Sequence, residues 1–261
     1  MTRARRAAPA PLAAYVLHRW DWSESSLIVD LFTRELGRVV VVAKGAKRPT
    51  SQLRPVLLPF QRLQVTLGRG AGDDASAEIQ PLRSAEWAGG TPLVGGAALL
   101  AGLYLNELLL RLLARHDAHA ALFDAYAATL PALADPEGIA QAALRAFELV
   151  LLRELGVLPE LGTVTATQQP VTAGGAYALH PEAGVVASAD GRDAVLDGRT
   201  LLALDAALAA TDLPALQHAC RAPAAALRSV LRALLHYHLG SPVLRTRDLV
   251  RDLQRLAGHS R

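Results

Sequence analysis

Two hydrophobic periods divide the chain. Up to about residue 88 the apolar and polar positions alternate in short runs; beyond it they repeat at helical spacing. AAYVLHRW at 13–20 and SLIVDLFT at 26–33 predict two strands, with Asp21–Ser25 turning between them as a hairpin. Gly37 marks another turn before a strand at 38–44. Its Val39–Val42 run is continuously β-branched, which predicts that both faces are covered, inside a barrel or sheet. Gly45 and Pro49 turn the chain after it. PFQRLQVTLG at 59–68 alternates and predicts a fourth strand. Arg69–Asp74 is a Gly-rich turn, and AEIQPLRSAE at 77–86 is a fifth strand with Pro81 at an edge or bulge. Short strands in this number, with no helix between them, predict a small closed barrel. An OB-fold leads, because it is the common five-stranded barrel that binds nucleic acid; an SH3-like barrel is the rival.

After Gly89-Gly90 and Pro92 the period changes. Leu99, Leu103, Leu105, Leu108, Leu109 and Leu112 predict a first helix. A second runs over 117–131. A third covers 137–155, opened by Asp135-Pro136 and closed by Gly156, the expected Pro-in, Gly-out asymmetry. Residues 157–192 are rich in Thr, Gly and Pro, with apolar pieces at 176–179 and 184–188; they predict a small β-ribbon or irregular insert. Helices resume at 198–210, 213–220 and 223–238. Gly240-Ser241-Pro242 breaks the chain, and Thr246 is placed to cap a last helix at 247–257. The fold class is α+β: a flexible tail at 1–11, a five-stranded OB-fold barrel at 12–88, and a mostly helical domain at 89–261 carrying the insert.

Charge sharpens this picture. The 261 residues sum to only +3. Residues 1–72, however, hold 12 Lys+Arg against 4 Asp+Glu, a balance of +8, and the remainder hold 15 against 20, or −5. A basic barrel on an acidic remainder implies that one part meets an anion and the other does not. The basic residues concentrate between Arg34 and Arg54: Arg34, Arg38, Lys44, Lys47, Arg48 and Arg54, opposed only by Glu35. Cations beside a strand and in a Gly/Pro loop suit a polyanion, although a solvated basic loop on an ordinary barrel has the same composition. Trp20, Trp22 and Tyr15 could supply flat groups for bases to stack on. Trp22, next to a turn, is the best of them, since Trp20 on its strand could be core. Nothing resembles a recognition helix, so sequence-specific readout is not expected.

Other signals are excluded. Cys220 is the single cysteine, so neither a disulfide nor a thiolate zinc site can form within the chain. Single-cysteine usage fits a reducing cytoplasm. Leu99–Leu113 contains Asn106, Glu107 and Arg111 and reads as a core helix, not a membrane span. Gly68-Arg69-Gly70-Ala71-Gly72 lacks the helix and Lys-Ser/Thr of a phosphate loop. Neither His116/His119 nor His236/His238 has an evident third ligand. No catalytic set or cofactor motif stands out.

Tyr15-Val16-Leu17-His18, Trp22-Ser23-Glu24-Ser25-Ser26, Asp30-Leu31-Phe32-Thr33, Gly37-Arg38 and Val42-Ala43-Lys44-Gly45-Ala46 together resemble the N-terminal part of the bacterial RecO family of DNA repair proteins. Leu57–Phe60, Leu82-Arg83-Ser84-Ala85-Glu86, Gly102-Leu103-Tyr104-Leu105-Asn106-Glu107-Leu108, Arg145-Ala146-Phe147-Glu148-Leu149, Leu155-Gly156 and Arg247-Asp248-Leu249 continue in that family's order. The resemblance covers nearly the whole chain. No single motif is diagnostic; many short matches in order are specific together.

The resemblance implies a non-enzymatic recombination mediator, cytoplasmic and nucleoid-associated, with an OB-fold followed by a helical domain. Such proteins bind single- and double-stranded DNA, anneal complementary strands and bind RecR. They also bind the acidic C-terminal tail of single-stranded DNA-binding protein (SSB), and so help RecA load onto SSB-coated DNA. No cofactor, small-molecule substrate or membrane partner is implied. The DNA site is expected on Arg34, Arg38, Lys44, Lys47, Arg48, Arg54 and Trp22. The SSB tail, acidic and apolar at its end, needs an apolar groove with a cation at its rim. Leu103, Tyr104, Leu108 and Arg111 on the first helix are candidates, and Arg145 holds the family position expected to face the terminal carboxylate. Many relatives carry a four-cysteine zinc site in the insert. The insert here has no Cys, so it is expected to be held by packing alone.

Overall fold

The computed structural model describes residues 10–68, 79–90, 95–135, 139–188, 195–240, 244–246 and 248–249. Residues 1–9 of the tail expected at 1–11, the Gly-rich turn after Gly68 and most of the helix expected at 247–257 lie outside them. Five strands, β1 (Leu12–Asp21), β2 (Leu27–Thr33), β3 (Gly37–Ala43), β4 (Gln61–Leu67) and β5 (Gln80–Gly90), close into a barrel in the order β1-β2-β3-β5-β4. All neighbours are antiparallel except β3 and β5, which run parallel over Val41↔Gln80 and Val42↔Pro81. This is the OB-fold order, in place of the SH3-like alternative. Pro81 stands beside the irregularity between Thr66 and Leu67, a position where its missing N–H costs no ladder bond.

Alternation decides which side chains fill the barrel. Ala14, Val16, Val29, Leu31, Val39, Val41, Leu63 and Val65 face inward and are fully buried. On β3 the covered-both-faces expectation holds for Val39–Val41 and stops at Val42, which is half-buried. At 44–60 the sequence promised only a Gly/Pro loop. The structure shows a two-sided plug: Ala46 and Leu57 are fully buried in the barrel core, Leu53 and Val56 pack against it, and the cations between them point outward.

The chain forms two compact units. The barrel unit is Met1–Leu93 together with Leu108–Phe123. Thus the end of α1 (Gly96–Leu112) and the start of α2 (Ala120–Leu133) belong with the strands. Tyr15 and Phe32, on the outer barrel face, each meet the Phe123 ring at 5.4 Å between centroids. Burial holds the Tyr15 phenol above its usual value, and the Arg62 charge pulls the other way. Gly37, at φ +68°, turns the chain with no room for a side chain: a Cβ there would collide with the Asp117 carbonyl.

The other unit is Val94–Glu107 with Asp124–Arg261. It holds α3 (Ala140–Glu154), β6 (Ala176–His180), β7 (Gly184–Ala187), β8 (Val195–Asp197), α4 (Gly198–Ala209), α5 (Leu213–Ala219) and α6 (Ala224–Leu239). α3 ends where Gly156 takes φ +70° and Val157 N–H reaches back to the Leu152 carbonyl. Asp197 and Asp212 cap α4 and α5 by accepting from Thr200 and Ala215 N–H. The insert is more ordered than packing alone would leave it. β6 pairs with β7 and with β8, a strand absent from the sequence reading. Hydroxyls tie its loops: Thr165 Oγ1 accepts from Val185 N–H at 2.9 Å, and the Tyr177 phenol accepts from Thr172 N–H at 2.8 Å.

Candidate nucleic-acid interface

The six expected cations are not brought together. Arg34 sits at the turn between β2 and β3, next to the Thr33↔Gly37 pair. Lys44 follows the opposite end of β3, where Leu27 pairs with Ala43, about 20 Å away along the strand. Arg38 is spent inside the fold. Its Nε and Nη2 grip both oxygens of the fully buried Asp30 at 2.8–3.0 Å, and Nη1 donates to the Leu110 and Leu113 carbonyls at 2.6 and 3.3 Å. A guanidinium so committed is a structural cap on the C-terminal end of α1, with its donors turned away from any phosphate.

Lys44, Lys47, Arg48 and Arg54 all lie in the segment that follows β3, outside the barrel core. Lys47 joins it to the β1–β2 turn: its ammonium donates to the Ser23 carbonyl at 3.0 Å and pairs with Asp21 at 3.2 Å. Backbone bonds reinforce that join, with Lys47 N–H on Ser25 O and Gly45 N–H on Ser26 Oγ. Trp22, 64% exposed, stands on the turn so anchored. Lys44, Arg48 and Arg54 are exposed, and Arg48 lies along Gly45. Glu24 and Asp21 are the acids of the same turn, and Asp21 is offset by Lys47. One end of the barrel therefore presents guanidinium and ammonium groups beside an indole.

Two things at this site escape the sequence. The pairing of Lys47 with Asp21 depends on the closed barrel, and no local spacing announces it. Trp20 is 43% exposed and not core, and Tyr15 is the aromatic that is buried. The irregularity between Val16 and His18 is the reason: it resets the alternation so that His18 and Trp20 face outward. The separation of His18, Trp20 and Trp22 by two residues each was a usable signal.

In the helical unit, the residues expected to line an apolar groove are largely interior. Tyr104 and Arg145 are buried, and Leu103 is half-buried. Leu108 is fully buried and Arg111 exposed, both on the part of α1 that clusters with the barrel. The expectation of a rim position for Arg145 does not match its 6% exposure. Its Nη1 pairs with Glu148 at 3.0 Å one helical turn on, and Tyr104 donates to the same carboxylate at 2.6 Å. An Arg and a Glu at i,i+3 on α3 share the apolar face, so both go inside together. The Arg145 Nε has no hydrogen-bond partner among the described residues. Cys220 is close by and fully buried; burial pushes its thiol up to about 12, against the pull of Arg145. Among the described residues no group of three or more His, Cys, Asp or Glu could hold a metal, and no helix is long and apolar enough to cross a membrane.

Comparison with known proteins now adds what geometry leaves general. Residues 11–86 match the family model "Recombination protein O N terminal", and residues 95–248 match "Recombination protein O C terminal". The chain is 54% identical to the DNA repair protein RecO of Acidovorax ebreus, over 97% of this chain and 99% of that one. It is 52% identical to those of Variovorax paradoxus and Delftia acidovorans, each over 98% of this chain and all of the relative.

Proposed function

This chain belongs to the recombination protein O (RecO) family, and from that premise we propose that it is a DNA repair and recombination mediator without chemistry of its own. It binds single- and double-stranded DNA through the barrel, anneals complementary strands, and with RecR helps RecA onto SSB-coated DNA in the cytoplasm. The observation that supports direct DNA contact is the barrel end where Lys47 anchors the turn carrying the exposed Trp22, with Lys44, Arg48 and Arg54 exposed in the loop that follows β3. Cations there meet phosphates, and an exposed indole meets a base. Annealing follows from charge screening between two strands held on one basic surface. Arg34, at the other end of β3, is left as a separate contact with duplex or partner.

The test is binding of a labelled single-stranded oligonucleotide from low to moderate salt. Three to four phosphate contacts, with Lys47 added when a phosphate displaces Asp21, predict a log–log slope of roughly −2 to −3. No binding at low salt would leave the second reading, an adaptor that meets SSB and RecR without touching DNA.

The helical unit is read as the receptor for the SSB tail, centred on Arg145, Tyr104 and Leu103. Supporting this is the Arg145 Nε, a buried donor that no described residue satisfies. Because Arg145 is also a buried ion-pair partner, Arg145→Lys, which keeps the charge and loses the fork, is the cleaner variant. Tail affinity falling by less than about threefold, half a kcal/mol or so, would remove Arg145 from this role.

A further inference from the structure

We propose that Trp20 is a second base-stacking platform, continuous with Trp22, which makes an unpaired strand the preferred ligand of the barrel; the inference rests on the DNA-binding reading above. Three observations carry it. First, tryptophans are highly buried on average, yet Trp20 and Trp22 lie 43% and 64% exposed. Second, Trp20 is braced from the side. Its ring meets the His18 imidazole edge-on at 4.5 Å between centroids, which fixes the indole while leaving a face open. Third, the register places Trp20 against Ile28, Ile28 against Val42 and Val42 against Pro81. These three neighbours are half-buried, so a shallow apolar band crosses four strands on the outer barrel face.

Spacing and charge select the occupant. Trp22 lies one residue past the end of β1, so its backbone sits within about 7 Å of that of Trp20. That is roughly twice the 3.4 Å rise per nucleotide in a stacked duplex strand. Successive bases can meet both rings only if the strand is unpaired and unstacked. Lys44 and Arg48 leave the adjacent end of β3, where the phosphates of such a strand would pass. An apolar partner peptide would find the band but would make no use of that charge.

The experiment uses the full chain and three probes: a short oligothymidylate, an abasic strand of equal length and a duplex of equal length. Stacking is worth about 1–3 kcal/mol per base, so Trp20→Ala should loosen oligothymidylate about tenfold or more and leave the abasic strand and duplex little changed. Trp20→Phe should restore most of the loss. Trp87→Ala is the control. Trp87 is more exposed than Trp20, at 64%, but pairs with Leu63, and Leu63 with Ala14, at the other end of β1 from Trp20. Equal loss on all three probes, or none on oligothymidylate, overturns the proposal. A wild-type chain that binds none of the probes defeats the DNA-binding reading itself; a chain that binds while ignoring Trp20→Ala defeats this inference alone.

Discussion

Single residues here have roles that charge alone misassigns. Arg38 is the example: a cation next to other cations, it is bonded to Asp30 and to carbonyls of Leu110 and Leu113. Asp30 is fully buried, so removing its partner leaves an uncompensated charge. Arg38→Ala should destabilise the chain by about 3–5 kcal/mol, whereas Arg48→Ala should leave stability within about 0.5 kcal/mol and weaken only DNA binding. Denaturant unfolding of both variants checks this, and equal stabilities would return Arg38 to the DNA surface. Cys220 makes a second case. Its thiol is raised from the ordinary 9 to about 12 by burial, so the folded state prefers the neutral form. That preference is fully present below about pH 9 and fades as pH climbs toward 12. Thiol-directed reagents at pH 8 should leave the native chain unlabelled and label it on denaturation; fast native labelling would contradict the burial. The burial of Cys220 was legible in the sequence; the role of Arg38 was not, because it needs the Leu110 and Leu113 carbonyls, more than seventy residues away.

Elements were far more legible than partners. Period-two alternation located the five barrel strands, and leucine spacing located the helices, since both periods are properties of the backbone itself. β8 was lost because three residues are too few to show a period. The plug at 44–60 was half seen. Its Gly, Pro and cations were plain, but Ala46, Leu53, Val56 and Leu57 lack periodicity and gain meaning only from the barrel mouth they fill. Leu57→Ala should therefore behave as a core deletion, costing about 2–5 kcal/mol, though it lies outside any strand. A thermal melt showing less than about 1 kcal/mol would mean the loop is a surface feature after all. Gly37 is the matching case among turns. Gly37→Ala adds αL strain to a collision with the Asp117 carbonyl and should cost about 2 kcal/mol or more by the same measurement.

At the scale of the molecule, the family resemblance is upheld over nearly the full length. A change of period marks where helices begin and says nothing about which strands they pack against. The barrel unit takes in Leu108–Phe123, residues that follow Val94–Glu107 of its neighbour in the chain. That interleaving has a consequence for synthesis. As the polypeptide leaves the ribosome, all five strands precede the carbonyls that Arg38 needs and the Phe123 ring that covers Tyr15 and Phe32. At about 5–20 residues per second the nascent barrel waits roughly 1.5–6 seconds for them. During that interval Tyr15 and Phe32 stay without the ring that covers them, so the last step in closing the barrel unit waits on the helices.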